Sequence, residues 1–387
     1  MTDTQDLLFV TTYVGLGGGE TSLLTLAEHL DPTRYRLHLL VPHDGQLAER
    51  WRAHGWPVHL IPFRGASTYF VPSVWARFSV VKRMAYLLRV QHIRAVHSDY
   101  HSLPFVLPAA EQLNIPTVWT CWGWWFHPKA WQRGFFRRPA ATFAASWAIK
   151  DGFLGDPPFM PPESVQVLPP GVDTNRFHPG VDSMAVRLDA AQHGIEIDQH
   201  TPLVALVARF QDVKGHDVFQ AMARRVAEQM PEARFIVAGE NVHGVSADDA
   251  YKQRILAAAQ NDPLLRERLI YLGFRDDAER VMAAADVVVC SSHFESYGMV
   301  NIEAMASGVP VVSTRRGGPS ETVVDGETGC LVDVGDDAAL AERVLTLLRD
   351  PGLRQRMGAA GRARVEAQFS ARAMAASFTR TLSALIE

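Results

Sequence analysis

Cysteine is scarce. Cys121, Cys290 and Cys330 are the only three in 387 residues, and they form neither a disulfide framework nor a metal-ligand spacing. Long apolar runs are missing too, because charges interrupt every one well before bilayer length. Met1 leads into polar Thr2 to Asp6 rather than a basic, apolar leader. These absences predict a soluble protein of the reducing cytosol, at most resting on the inner face of a membrane. A formal net charge of -4 lacks the basic excess a nucleic-acid partner would need. Neither a nucleophile elbow, a P-loop nor a His/Cys cluster occurs with the required spacing, so no metal and no cofactor is expected. The adjacent acids Asp276-Asp277 and Asp336-Asp337 stand near helix starts and read as caps.

What is present is an ordinary globular composition, 47% apolar and 21% charged, long enough for two domains. Strands are predicted at Leu7–Thr12, Tyr35–Val41, Val58–Ile61, Ala95–His97 and Thr117–Thr120. Helical runs at Glu20–Leu30, near Gln46, at Val71–Val90 and at Leu103–Leu113 separate them. The Pro- and Gly-rich Leu168-Pro169-Pro170-Gly171-Val172-Asp173 marks a boundary. After it the alternation restarts with strands at Leu203–Ala208, Arg234–Ala238 and Leu269–Leu272. Helices follow at His216–Gln229, Ala250–Gln260, Asp277–Ala284, from Asp336 and from Ser370. Such alternation implies an α/β chain of two doubly wound parallel sheets, with a ligand cleft expected between them.

Three stretches carry chemistry. In Val287–Val332 a strand, a loop, a helix starting near Gly298 and a second strand follow one another. The first turn of that helix leaves the N–H groups of about Gly298, Met299 and Val300 unpaired, which favours an anion. Glu295 and Glu303 bracket it, which suits an anion flanked by hydroxyl-rich groups. In Ala208-Arg209-Phe210-Gln211-Asp212-Val213-Lys214-Gly215, two cations follow a strand end and can neutralise a diphosphate. Gly15, Gly17, Gly18 and Gly19 precede the first helix, where a backbone can approach a ligand closely or simply turn tightly. Glu20 stands where a dinucleotide fingerprint needs glycine, which disfavours NAD.

Glu295 and Glu303, seven residues between them, within ESYGMVNIEAMASGVPVV, resemble the signature of retaining glycosyltransferases of the GT-B fold, family 4. The Gly317-Gly318-Pro319-Ser320-Glu321 and Asp325-Gly326 segments and LPPGVDTNRFHP are similar to that family as well. The resemblance implies two Rossmann-like domains facing each other across a cleft. Residues 1–175 would lie on the acceptor side and 176–369 would bind the nucleotide sugar, with a final helix over 370–387 crossing back. It implies that Arg209 and Lys214 bind the pyrophosphate, Glu295 the transferred sugar and Glu303 the ribose, making Arg209, Lys214 and Glu295 the catalytic set. Gly17, Gly18, Phe274, Tyr297, Gly298, Met299 and Val300 complete the donor-facing residues. Ala208 replaces the usual glycine of the cation motif.

The main departure lies after the strand ending at Thr120, where Trp122 stands in place of the family's sugar-contacting histidine. Either His127 or His101 supplies that contact, or the sugar is held without it. Trp122, Trp124 and Trp125 either offer a stacking platform or pack a loop onto the core. Lys129, Trp131, Arg133, Phe135, Phe136, Arg137 and Arg138 alternate cations with aromatics. Trp75, Arg77, Phe78, Lys82 and Arg83 do the same on a helix, a pattern that serves a membrane contact or a solvated basic face.

The expected activity is retaining hexosyl transfer from a nucleotide diphosphate-sugar, UDP-sugar first and GDP-mannose next, to a carbohydrate or lipid-linked acceptor. That would place the chain in polysaccharide or glycoconjugate biosynthesis, as a monomer or weak oligomer. A nucleotide-sugar epimerase is the alternative and a non-catalytic binding module a third reading. The epimerase would need an acid/base pair near Glu295 that the sequence does not offer.

Overall fold

The computed structural model describes residues 4–64, 74–123, 127–192, 195, 197–241 and 246–386. The chain divides into two compact units, one of residues 1–171 with 371–387, the other of residues 172–370. The boundary falls at Gly171, four residues before the position read from the sequence.

In the first unit, β1 (Gln5–Val10), β2 (Tyr35–Val41), β3 (Val58–Leu60), β4 (Ile93–Ser98), β5 (Thr117–Cys121), β6 (Ala141–Ala144) and β7 (Val165–Val167) form one parallel sheet. Their order is β3-β2-β1-β4-β5-β6-β7. The strands are apolar on both sides, as a sheet covered by helices on both faces requires. Leu7, Phe9, Leu39 and Phe143 line one face, and Leu8, Val10, Leu40 and Val96 the other. The last helix, Ala371–Ile386, belongs to this unit. It sets Met374, Phe378 and Leu382 into the cluster of Phe9 and Trp51.

The second unit repeats the plan with β8 (Leu203–Val207), β9 (Arg234–Ala238), β10 (Leu269–Gly273), β11 (Val287–Cys290), β12 (Val311–Thr314) and β13 (Gly329–Val332). The order β10-β9-β8-β11-β12-β13 makes β8 and β11 neighbours. Chain direction across the sheet reverses between them, and open α/β sheets bind ligands at the carboxyl ends of such strands.

Three strands and one long helix escape the sequence reading. β6, β7 and β13 have only four, three and four residues, too short for a periodic signal. The helix Pro351–Arg364 begins with Pro-Gly, which reads as a break. Pro351 is instead the first helical residue, behind a cap in which Asp350 accepts from Leu353 N at 2.8 Å. Asp336 caps its helix similarly, accepting from Ala339 N at 2.9 Å. Asp277 does not cap: its carboxylate binds the Arg275 fork at 2.8 and 2.7 Å, because the paired cation outcompetes a backbone N–H.

Candidate active site

The loop after β8 and the loop after β11 are joined by hydrogen bonds to backbone carbonyls. His293 N donates to Val213 O at 2.8 Å and Ser291 Oγ to Gly215 O at 2.8 Å. Gly215 makes the approach feasible. It has φ +64°, and a Cβ there would meet Ser291 O at 2.2 Å. This junction delivers Lys214 to Glu295, Nζ to Oε1 at 2.6 Å, with Ser292 Oγ donating to the same oxygen at 2.8 Å. The pair is sheltered, its side chains 21% and 13% exposed, so its attraction is less screened than at an open surface.

A third loop, after β12, closes on Glu295: Glu295 N donates to Arg316 O at 3.3 Å and Gly318 N to Glu295 O at 3.0 Å. Gly298 then caps the helix Met299–Ala306 in the left-handed conformation, φ 85° and ψ 57°. That conformation is why a glycine opens this helix. The N–H groups at its first turn have no carbonyl of the helix to bond and suit an anion. Arg209 follows β8 and is exposed.

Glu303 stands one turn further along the same helix and is half-buried. Burial pushes its carboxyl up to about 7, against the pull of Arg176 and with a further push from Glu279. Arg176 is itself engaged, donating to Glu279 Oε2 and to Asp276 O, both at 2.8 Å. Phe274, after β10, is 73% exposed, an unusual surface cost for an aromatic ring without a ligand role. Tyr297 is buried: its ring lies in the core beside Phe369, and its backbone packs closely against Gly318.

In the first unit, Gly17 N donates to Glu20 Oε2 at 3.1 Å at the start of the helix Gly18–Glu28. Gly18 has open space around it, and Gly19 lies against the Trp122 ring, 3.8 Å from a Cβ position. Trp122 therefore covers the glycine turn, while Trp124 and Trp125 lie outside the described residues. His101 stands edge-on to Tyr13 and Tyr100. Burial lowers its pKa, and Asp99 opposes that shift. His127 is bound through Nδ1 to Gly152 O at 3.2 Å and lies 3.3 Å from an Arg133 nitrogen.

The basic aromatic run does not form one open surface. Phe136 is buried against Trp119 and Phe153, and Arg138 is paired with Glu111. On the helix Val74–Val90, Phe78, Lys82 and Arg83 are exposed, whereas Trp75 and Arg77 have side chains outside the described residues.

Two residues were not anticipated. Ser292 orients Glu295, and its place three residues before that carboxylate was the available signal. Asp99 gathers Thr11 Oγ1 and Thr12 N, each at 2.9 Å, and so joins the ends of β1 and β4. Only knowledge of the strand order could have revealed it. Among the described residues, no three His, Cys, Asp or Glu side chains stand close enough to hold a metal ion. No helix there is long and apolar enough to cross a membrane.

Residues 189–364 match the family described as glycosyl transferases group 1, and residues 16–176 the family described as Glycosyltransferase Family 4. The alpha-maltose-1-phosphate synthase of Mycolicibacterium smegmatis is 31% identical over 294 residues, 73% of this chain and 70% of that protein. The D-inositol 3-phosphate glycosyltransferase of Corynebacterium diphtheriae is 36% identical over 207 residues, 51% of this chain. The match spans about half the length of that relative, 46%. A glycosyltransferase from Rickettsia africae shares the fold at TM-score 0.86 and 17% identity, covering 100% of this chain and 99% of that one. Anabaena HepE, crystallised with UDP-glucose, does so at 0.78 and 22%, covering 98% of this chain and 99% of that one. With its two parallel α/β units, the chain belongs to the family 4, or group 1, glycosyltransferases of the GT-B fold.

Proposed function

We propose that this protein transfers a hexosyl group from a nucleoside diphosphate-sugar to an acceptor hydroxyl, retaining the anomeric configuration and using no metal. The observation that carries the reading is the Lys214–Glu295 pair at 2.6 Å beside the open helix end at Gly298. A cation, a carboxylate and a fan of N–H groups then serve one bound donor. Breaking the glycosidic bond builds negative charge on the distal phosphate and positive charge on the sugar. Lys214 and Arg209 take up the first together with the N–H groups of Met299 and Val300.

Lys214 exchanges Glu295 for phosphate when the donor enters. Glu295, still held by Ser292, turns its carboxylate to the sugar hydroxyls. Glu303 accepts from the ribose, and Phe274 offers a face to the base. The donor phosphate takes the acceptor proton, so no protein base is needed. Gly17 and Gly18 present backbone N–H groups to donor or acceptor.

A UDP-sugar is the first donor to test and GDP-mannose the second. HepE was crystallised with UDP-glucose, and the two relatives are named for reactions involving sugar or inositol phosphates. A phosphorylated or lipid-linked carbohydrate is accordingly the first acceptor class. Nucleotide release across a donor panel, followed by NMR of the product, tests the reading. An α-linked product from an α-linked donor supports it. Interconversion of the donor sugar without any acceptor would replace it with the epimerase reading.

A further inference from the structure

We propose that the cavity between β3 and the helix Val74–Val90 is a second ligand site, remote in sequence from the donor residues, that takes a phosphate monoester with a small apolar body. The cavity measures about 520 Å³. His59, Lys82 and Arg83 supply its polar lining, and Tyr86, Ile61 and Leu87 its apolar wall.

A relay of side chains fixes His59. His38, buried in the middle of β2, places Nε2 2.8 Å from Asp6 Oδ1 and Nδ1 3.0 Å from His59 Nε2. The carboxylate can only accept, so it holds the proton of His38 on Nε2. In that tautomer His38 accepts at Nδ1 from His59 Nε2–H. The two rings lie edge to edge and nearly coplanar, centroids 5.3 Å apart with 8° between their planes, which fixes the orientation of the outer one. His59 keeps Nδ1 as its remaining acceptor, with no hydrogen-bond partner among the described residues. A proton added there makes a cation with a new donor, which is what a bound oxyanion would draw in. Burial first and His38 second hold the His59 pKa below its usual value.

The charges around this ring leave a positive excess. His38 faces it from β2. Behind His38, Asp6 of β1 is already shared with Arg36, Nε to Oδ1 at 3.1 Å. From the helix come Lys82, Arg83 and Tyr86. The helix Gln46–Ala53 covers the other face of the sheet, where Val58 points, and adds no charge here. Lys82 lies over the Phe78 ring at 5.2 Å, and neither it nor Arg83 is ion-paired with a described carboxylate. A phosphate monoester carries roughly -1.5 to -2 charge near neutral pH. That charge matches two cations and an imidazole better than a monoanion would. Tyr86, 61% exposed, offers a ring to the ester's body.

The test uses the full chain, phenyl phosphate and inorganic phosphate, with calorimetry and the His59 ring signal by NMR. Phenyl phosphate is expected to bind more tightly than inorganic phosphate and to move the His59 titration to higher pH. The double variant Lys82→Ala/Arg83→Ala, changed only at exposed side chains, should weaken binding by roughly tenfold or more. Arg94→Ala, an exposed cation elsewhere on the unit, and Lys214→Ala should leave it unchanged. Equal loss in Arg94→Ala, or a His59 signal that stays still at saturation, would overturn the site. The same chemistry can come from a lipid headgroup, so vesicles of phosphatidylcholine with and without phosphatidic acid form the second arm. Binding to the phosphatidic acid vesicles with none to phenyl phosphate would also overturn it, assigning the surface to a membrane.

Discussion

The two units share an architecture but hold their loops differently. In the second, the loops after β8, β11 and β12 are sewn together by main-chain bonds such as His293 N to Val213 O at 2.8 Å and Gly318 N to Glu295 O at 3.0 Å. In the first, the loop after β1 also has a main-chain bond, Leu47 N to Val14 O at 3.0 Å, but leans more on side chains. Asp99 gathers Thr11 and Thr12, and Trp122 lies on Gly19. A junction made of backbone admits few residue types, because a Cβ in the wrong place collides. One made of side chains can be built from many. A diphosphate, with fixed geometry, suits the first kind of site, and an acceptor of variable shape the second.

The largest test of that contrast is Lys214→Ala. Turnover should fall about a hundredfold, equivalent to roughly 2.7 kcal/mol of transition-state stabilisation. Circular dichroism should show the chain still folded, since Ser292 continues to bond Glu295. Wild-type turnover in this variant would remove Lys214 from the mechanism and with it the special status of the second unit.

Gly298→Ala comes next. A left-handed alanine costs about 1–2 kcal/mol, and the new Cβ would stand 3.2 Å from Asn301 Nδ2 and 3.4 Å from Pro319 Cγ. Urea unfolding should record that loss, and donor affinity should fall as the N–H fan tilts. Gly18→Ala in the first unit, where a Cβ meets nothing within 4 Å, should leave stability nearly unchanged. Equal effects at both positions would erase the distinction between the units.

The third test uses pH. Glu303 titrates at about 7 because burial disfavours its charge. Its folded pKa lies above the unfolded one, so the stability it contributes is complete below the unfolded value and is lost as pH rises through about 7. A ribose diol donates to the charged form, so donor binding should tighten between pH 6 and 8, by up to about tenfold. The donor's protection against heat should grow in step. Glu303→Gln should flatten this component of the profile, and an unchanged slope would count against the ribose contact.

Legibility cut across that divide, since β1 to β5 of the first unit were read from the sequence as well. β8, β9, β11 and the helix His216–Gln229 were visible as strong apolar periods. The Arg209–Lys214 and Glu295–Glu303 spacings were visible through the family resemblance, and the fold brings Lys214 and Glu295 to 2.6 Å. Asp99 was hidden because its partners Thr11 and Thr12 lie 88 and 87 residues away. Strand order, not local pattern, brings them together. Ser292 was hidden for a different reason: a serine before a carboxylate is common, and only the 2.8 Å bond gives it a role. Tyr297 was misplaced because sequence position says which loop a residue occupies and not which way its ring turns.

Tyr297 also gives the finest test. The residue is 5% exposed, its ring is edge-on to Phe369 at 6.3 Å, and its hydroxyl has no hydrogen-bond partner among the described residues. Burial first, then the Glu321 charge, raises the phenol well above its usual pKa, so it stays neutral. An unpaired buried hydroxyl is a cost that phenylalanine avoids at almost the same shape. Tyr297→Phe should therefore raise stability by up to about 1 kcal/mol in urea unfolding and leave turnover unchanged. If donor affinity fell instead, the hydroxyl would be a ligand contact in the bound state. Part of the second unit's site would then be made by a side chain that turns only when the donor arrives, and the contrast between the units would narrow to the loops around Lys214 and Glu295.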